Sequence, residues 1–329
     1  MRSLLYNPEA LIPNEVVMRR RHTLVTLLAL MSITMHADQK AFLGRWNLSG
    51  TPPNTDRVYW LEVKEDNGKL SAMFLNRGGS PVPVSDVRME GDELVLQMQG
   101  RGNTAAPKIR LKADGVKATG TVTSGTATIN VTGARPPHWE SANANGNHTY
   151  GTPVVLFDGK SLNAFGVQNA GQPMGWSIED GVMTNVEHAN NLVSKEKFKD
   201  FRIEAQYKLG PNSNSGIYLR GRYELQVLDD YGKPADIHGH MSIYAWKPPR
   251  VNASKPQGEW QTMEAVIVGN RVTVTLNGQR VHDNAVLEAI TGGALDANET
   301  EPGPIMIQGD HERVWFRKVT VTPITKAGR

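Results

Sequence analysis

Residues 202–209 read Arg202-Ile203-Glu204-Ala205-Gln206-Tyr207-Lys208-Leu209. Charged or amide side chains alternate with apolar ones at every step. In an extended chain successive side chains point to opposite faces, so this stretch predicts a strand with one wet face and one buried face. The pattern spreads in both directions along the chain. Ile217-Tyr218-Leu219-Arg220 and Tyr223-Glu224-Leu225-Gln226-Val227 alternate likewise. So do 271–276, which run into an Asn277-Gly278 hairpin turn, and 314–321. No stretch longer than about ten residues holds a 3.6-residue period. From Pro153 onward the fold is therefore read as all-β, and two packed sheets bury so many one-sided strands.

A second run of short strands occupies 42–131, punctuated by Asp66-Asn67-Gly68, Glu90-Gly91-Asp92 and Ala113-Asp114-Gly115. Strands at this spacing predict a closed meander or small barrel. Gly44-Arg45-Trp46 at its start is similar to the Gly-x-Trp opening of lipocalin-like barrels. Residues 133–152 are rich in Pro, Asn and Gly without a sustained period and read as a linker. The expected organisation is a leader at 1–37, a small β domain at 38–132, the linker, and a larger β domain at 153–329.

The leader carries Arg19-Arg20-Arg21 followed by an apolar run at 24–33, the order of a secretory signal peptide. Cleavage is expected after Ala37, with Met18 as the start of translation, no membrane span after cleavage, and a periplasmic or secreted protein. The formal charge of +3 for the whole chain then falls to near neutrality, because the leader holds more basic than acidic residues. Nucleic-acid binding, which needs a basic stripe, is not expected. With no cysteine in the chain, disulfides, thiol catalysis and a lipobox anchor are excluded. The oligomeric state is not legible.

Period-two strands deliver rows of side chains. Tyr218, Arg220 and Arg222 form one such row, and Glu224 and Gln226 continue it, while Ile217, Leu219, Leu225 and Val227 go to the core. Neighbouring strands lie about 4.8 Å apart, so such rows can converge on one ligand. An ordinary solvated sheet face is the plainer alternative.

The same residues carry a resemblance. Leu156-Phe157-Asp158-Gly159-Lys160-Ser161-Leu162-Asn163 and Trp176-Ser177-Ile178-Glu179-Asp180-Gly181 come first, followed by 214–221, 223–229 and Gly258-Glu259-Trp260. Gly303-Pro304-Ile305, Gln308-Gly309-Asp310-His311 and Trp315-Phe316-Arg317 follow in order. Together these blocks resemble the 3-keto-disaccharide hydrolase domain family over 153–323; one departure is Lys318, where an Asn is frequent. The resemblance implies a concanavalin A-like jelly roll and a small-molecule carbohydrate substrate, a glycoside whose sugar carries a ketone at C3. Its motif positions fall on Asn214, Arg220, Glu224, Gln226, Asp229, Gln308 and His311.

A C3 ketone acidifies the proton on C2, which opens β-elimination of the C1 substituent followed by addition of water. That route needs a base, a donor for the enolate oxygen and an acid for the leaving group. On chemical grounds Glu224 is the expected base, Arg220 the oxyanion donor and His311 the proton shuttle, with Asn214, Tyr218, Gln226, Asp229 and Gln308 binding substrate. The plainer alternatives are a cross-strand Arg220–Glu224 ion pair and a merely exposed His311. Trp176, Trp260 and Trp315 are read as core. No cofactor is expected; the alternative held open is a divalent ion on Asp236, His238 and His240, whose alternation supplies ligands without a diagnostic spacing. A non-catalytic, lectin-like sugar-binding module is the rival function, since fold does not fix activity.

Overall fold

The computed structural model describes residues 39–100 and 106–328; the expected signal peptide and its cleavage site lie outside them. Among the described residues no helix is long and apolar enough to cross a membrane.

The first nine strands are β1 (Gly44–Gly50), β2 (Val58–Asp66), β3 (Lys69–Asn76), β4 (Val82–Pro83), β5 (Asp86–Glu90), β6 (Glu93–Gln97), β7 (Lys108–Ala113), β8 (Lys117–Ser124) and β9 (Ala127–Ala134). They form one antiparallel sheet in the order β4-β3-β2-β1-β9-β8-β7-β6-β5. The first and last strands pair at its centre, so the meander curls until β3 meets β5. Inward side chains, among them Trp46, Leu61, Phe74, Leu96 and Ile109, fill a single core. This is the small barrel that the strand spacing predicts.

The remaining strands are β10 (Thr149–Tyr150), β11 (Val154–Phe157), β12 (Phe165–Val167), β13 (Trp176–Glu179), β14 (Val182–Asn185), β15 (Leu192–Phe198) and β16 (Phe201–Leu209). After these come β17 (Asn214–Leu219), β18 (Tyr223–Leu228), β19 (Trp260–Val268), β20 (Arg271–Leu276), β21 (Gln279–Val286), β22 (Gly303–Ile307) and β23 (Val314–Lys326). The outer sheet runs β13-β14-β23-β16-β19-β20-β21, with β10 and β11 also on β23. The facing sheet runs β12-β15-β22-β17-β18. The alternation at 202–209 is realised in β16, whose Ile203, Ala205, Tyr207 and Leu209 point into the core between the sheets. The chain is thus all-β, with a sandwich of jelly-roll type after the barrel.

Residues 133–152 are not a free tether. β9 extends through Ala134, β10 pairs with β23, and Ala144 is buried against Val266 and Val268 on the outer face of the sandwich. The barrel docks on the sandwich through an apolar patch of its own. Val58, Trp60 and Leu75 from the barrel pack against Ala289, Ile290 and Ala294, and Trp60 meets Trp246 edge to face at 4.9 Å. Polar ties flank the patch: Asn47 Nδ2 donates to Glu299 Oε1 at 2.7 Å, and Arg45 pairs with Glu288.

Trp176 is in the core, but Trp260 and Trp315 are half-buried on the outer sheet's solvent face. The Lys208 ammonium lies 5.4 and 5.2 Å from their rings, and Arg317 covers Trp260 at 4.4 Å. The core reading fails for these two because each is followed by a buried residue; in a strand, the neighbour of an inward position faces out.

Candidate active site

β17 and β18 form a hairpin in which Tyr218 faces Glu224 and Gly216 faces Gln226. Directly opposed residues share a face, so Tyr218, Glu224 and Gln226 stand together on the side away from the core. The segment after β18 folds back along this edge. The Met241 N–H donates to the Gln226 carbonyl at 2.7 Å and the Tyr244 N–H to the Glu224 carbonyl at 3.1 Å, which sets Tyr244 beside the carboxyl group.

Glu224 is 4% exposed. Its Oε2 accepts from the Tyr218 hydroxyl at 2.8 Å, and that hydroxyl also lies 2.9 Å from the Gly292 carbonyl. Its Oε1 rests over Gly216, where an added Cβ would come within 2.6 Å. The missing side chain at 216 is the space the carboxyl group fills. Burial pushes the Glu224 pKa up to about 8; the Tyr218 hydrogen bond opposes this and the nearby Asp310 charge adds to it. Tyr218 is pushed well above the ordinary phenol range by burial and then by Glu224, so it stays a neutral donor.

Glu224 opens into a cavity of about 230 Å³ whose lining includes Asn214, Gln226, Tyr244, Gln308, Asp310 and His311. Gln308 is tied by its own N–H to the Gly216 carbonyl at 2.9 Å, while its side-chain Oε1 is buried without a partner. An unmatched amide oxygen at a cavity wall suits a ligand hydroxyl. Asn191 Oδ1 accepts from the Gly309 and Asp310 N–H groups at 2.7 and 3.2 Å, which fixes the turn presenting Asp310 and His311.

Six of the residues expected from the sequence meet here: Glu224, His311, Asn214, Tyr218, Gln226 and Gln308. Arg220 does not. The backbone turns into positive φ at Arg220 (55°) and Gly221 (66°), which breaks the alternation that placed Arg220 beside Tyr218. Its guanidinium is buried on Asp200 Oδ1 at 3.0 Å and on the Lys199 carbonyl, near the Trp139 ring. Neither the oxyanion role nor an Arg220–Glu224 pair fits this placement. Arg222 is likewise turned away, onto Asp296 at 2.6 Å.

Asp229 is also outside the cavity, its carboxylate accepting from the Asn212 N–H at 3.1 Å and so closing the base of the hairpin. Asp236, His238 and His240 do not converge on one point: Asp236 Oδ1 stays 3.6 Å from His238 Nδ1, while His240 turns away. His240 is buried between the Leu228 backbone and the Tyr207 hydroxyl (2.8 Å), with burial pushing its pKa down to about 4. His238 Nε2 lies 2.7 Å from Ser80 Oγ in the barrel, and Asp236 caps the His238 N–H. Among the described residues no three His, Cys, Asp or Glu side chains gather as metal ligands.

Sequence reading missed Tyr244, Asp310 and the glycine at 216. Asp310 was within reach, since it stands between Gln308 and His311 in a stretch that carries the family resemblance; Tyr244 sits in an irregular loop with no periodic signal.

Comparison with known proteins bears on the same half of the chain. A 23% identical relative, the 3-keto-disaccharide hydrolase of Bacteroides thetaiotaomicron, aligns over 223 residues, 51% of this chain and 77% of its own. Two solved structures of candidate glycosyl hydrolases from Parabacteroides distasonis are similar. One is 27% identical, covering 57% of this chain and 94% of its own, with a TM-score of 0.46. The other is 21% identical, covering 52% and 94%, with a TM-score of 0.45. The family model described as the 3-keto-alpha-glucoside-1,2-lyase-like domain matches residues 152–322, just over half the chain, and through that segment the chain belongs to this family.

Proposed function

We propose that this protein cleaves glycosides whose sugar has been oxidised to a ketone at C3, by elimination and rehydration. The observation that carries this reading is the buried Glu224 carboxyl, raised to about 8, at the floor of a cavity lined by amides and hydroxyls. A base with a pKa near the working pH is suited to removing a carbon-bound proton. The family membership and the name of the Bacteroides relative support the same chemistry.

In this reading Glu224 takes the proton from C2, and the C2–H electron pair moves to make the enolate of the C3 ketone. Collapse of the enolate forms the C1–C2 double bond and breaks the bond from C1 to the glycosidic oxygen. His311 protonates that oxygen. Water then adds at C1 and a proton returns to C2, so the net change is hydrolysis. With Arg220 committed elsewhere, the Tyr244 hydroxyl is the donor for the enolate oxygen: burial and then the Glu224 charge hold its pKa up, which keeps it a neutral donor. Asn214, Gln226 and Gln308 hold sugar hydroxyls.

A second reading has one specific observation in its favour. Asp310 lines the same cavity, and two carboxyl groups across a glycosidic bond are the equipment of an ordinary glycosidase. Incubation with 3-keto-glucosides and with the unoxidised glucosides in D₂O separates the two. Elimination places deuterium at C2 of the released 3-keto sugar and leaves the unoxidised glucosides intact. Equal cleavage of both without deuterium at C2 would establish the two-carboxylate route, and binding without cleavage of either would establish a lectin-like module. The Arg19–Arg21 and 24–33 pattern further supports export; a secreted form starting near Asp38 is expected on N-terminal sequencing, and a secreted form starting at Met18 would refute cleavage.

A further inference from the structure

One wall of the Glu224 cavity comes from the barrel. The loop between β3 and β4 reads Arg77-Gly78-Gly79-Ser80. Gly78 and Gly79 line the Glu224 cavity, and Arg77 lines an adjoining cavity of about 230 Å³ together with Asp56. The two cavities share Gly78, Tyr218, Gly293, Gln308 and Asp310.

The loop is held at several points. The Gly293 N–H donates to the Arg77 carbonyl at 2.5 Å, and Ser80 Oγ meets His238 Nε2 at 2.7 Å. A Cβ on Gly292 would lie 2.3 Å from the Gly79 carbonyl oxygen, so the two backbones touch where only glycine fits. Behind the loop stands the packed patch around Trp60. Packed interfaces of this kind move as units, which makes the loop a fixed wall. It lies outside the family match, which begins at residue 152.

We propose that the barrel builds the leaving-group subsite, and that Arg77 is a specificity-determining residue for a hydroxylated leaving group such as a second sugar. This rests on the keto-glycoside reading above. With C2 at Glu224, the glycosidic oxygen sits on the next ring carbon, and what it carries extends beyond the Glu224 cavity into the adjoining one. There Arg77 Nη2 and Asp56 Oδ2 lie 3.4 Å apart and both side chains are substantially exposed. Side-by-side donors and acceptors match neighbouring hydroxyl groups. Gln168 and Asn191 complete the polar wall, and Tyr218 is the only aromatic side chain among the described lining residues. An aryl leaving group finds little to stack on.

The test uses the full chain with Arg77→Asn and Arg77→Lys. Asn tolerates the positive φ of 55° at this position, so the side chain is shortened without backbone strain, and Lys keeps the charge while losing the fork. The substrates are a 3-keto-glucosyl-glucose and methyl 3-keto-glucoside. The ratio of their kcat/KM values is expected to fall roughly tenfold or more in Arg77→Asn, the scale of a lost hydrogen bond to a charged group, with partial recovery in Arg77→Lys. An unchanged ratio overturns the assignment. Calorimetric binding of the 3-keto-disaccharide and of its unoxidised parent, to Glu224→Gln with and without Arg77→Asn, reads the subsite without turnover. If the wild type cleaves neither keto substrate, the functional reading fails. Affinity lowered by Arg77→Asn would then still uphold the subsite, and equal affinity would refute it.

Discussion

Replacing Glu224 by Gln tests the electrostatics of the site before any substrate is added. An ordinary glutamate ionises near 4.5, whereas burial holds Glu224 at about 8. The folded state therefore binds a proton that the unfolded chain releases at lower pH. The stabilising contribution is fully present below pH 4.5 and is lost as pH rises through 8. At 1.36 kcal/mol per tenfold change in proton affinity, the whole loss is on the order of 5 kcal/mol. Gln resembles the protonated acid in shape and carries no charge at any pH. Urea unfolding of both proteins at intervals from pH 5 to 9 should show the variant gaining on the wild type by about 1.4 kcal/mol per pH unit up to pH 8, then levelling. Groups common to both proteins cancel in this difference. The same variant should lose about 10²–10⁴-fold in turnover of a 3-keto-glucoside while retaining sugar binding, and the wild-type kcat/KM should rise with pH to a plateau above 8. A stability difference that stays flat across this range would refute the buried, proton-holding carboxyl, and near-wild-type turnover would remove Glu224 as the base.

Gly216→Ala should force the Glu224 carboxyl off its seat, lowering kcat about 10²-fold, the scale of a 1 Å misplacement; kinetics alongside thermal unfolding check that activity falls while the fold persists. Trp60→Ala should cost about 3–5 kcal/mol and loosen the barrel from the sandwich, read by calorimetry as a lowered or divided transition. His282 is buried with Nε2 on the Met241 carbonyl at 2.8 Å, and burial pushes its pKa down to about 4. Its neutral ring supports the fold above pH 6.5, and that support is lost as pH falls toward 4, a change on the order of 3 kcal/mol. His282→Gln should therefore flatten the acid side of the stability profile between these values, measured by denaturant titration against wild type.

The alternation at 202–209 was enough to identify β16 and with it the sandwich, because a two-residue period survives any arrangement of neighbouring strands. The same rule located Tyr218, Glu224 and Gln226, which lie within regular strands. It failed at Arg220, two residues past Tyr218, because the rule assumes an extended backbone and the chain there turns to positive φ. Trp260 and Trp315 were misplaced for a related reason: their apolar character outweighed their parity in the pattern. Arg77 and its loop could not be seen at all as part of the site. Gly78 and Gly79 reach the Glu224 cavity, and Arg77 the adjoining one, through the docking of two separate cores, and nothing local in 77–80 encodes that.

Tyr218 carries one hydrogen and has two acceptors within 3 Å, Glu224 and the Gly292 carbonyl. When Glu224 is protonated, its own hydrogen can satisfy the Tyr218 oxygen, and the phenol is free to hold Gly292. When Glu224 gives up its proton, the phenol must turn toward the new charge and release that carbonyl. Gly292 is the residue pressed against Gly79, and its neighbour Gly293 grips Arg77. The proton at Glu224 is thereby linked, through Tyr218 and Gly292, to the contact between the barrel and the sandwich. Hydrogen exchange at the Gly293 amide should follow the titration of Glu224.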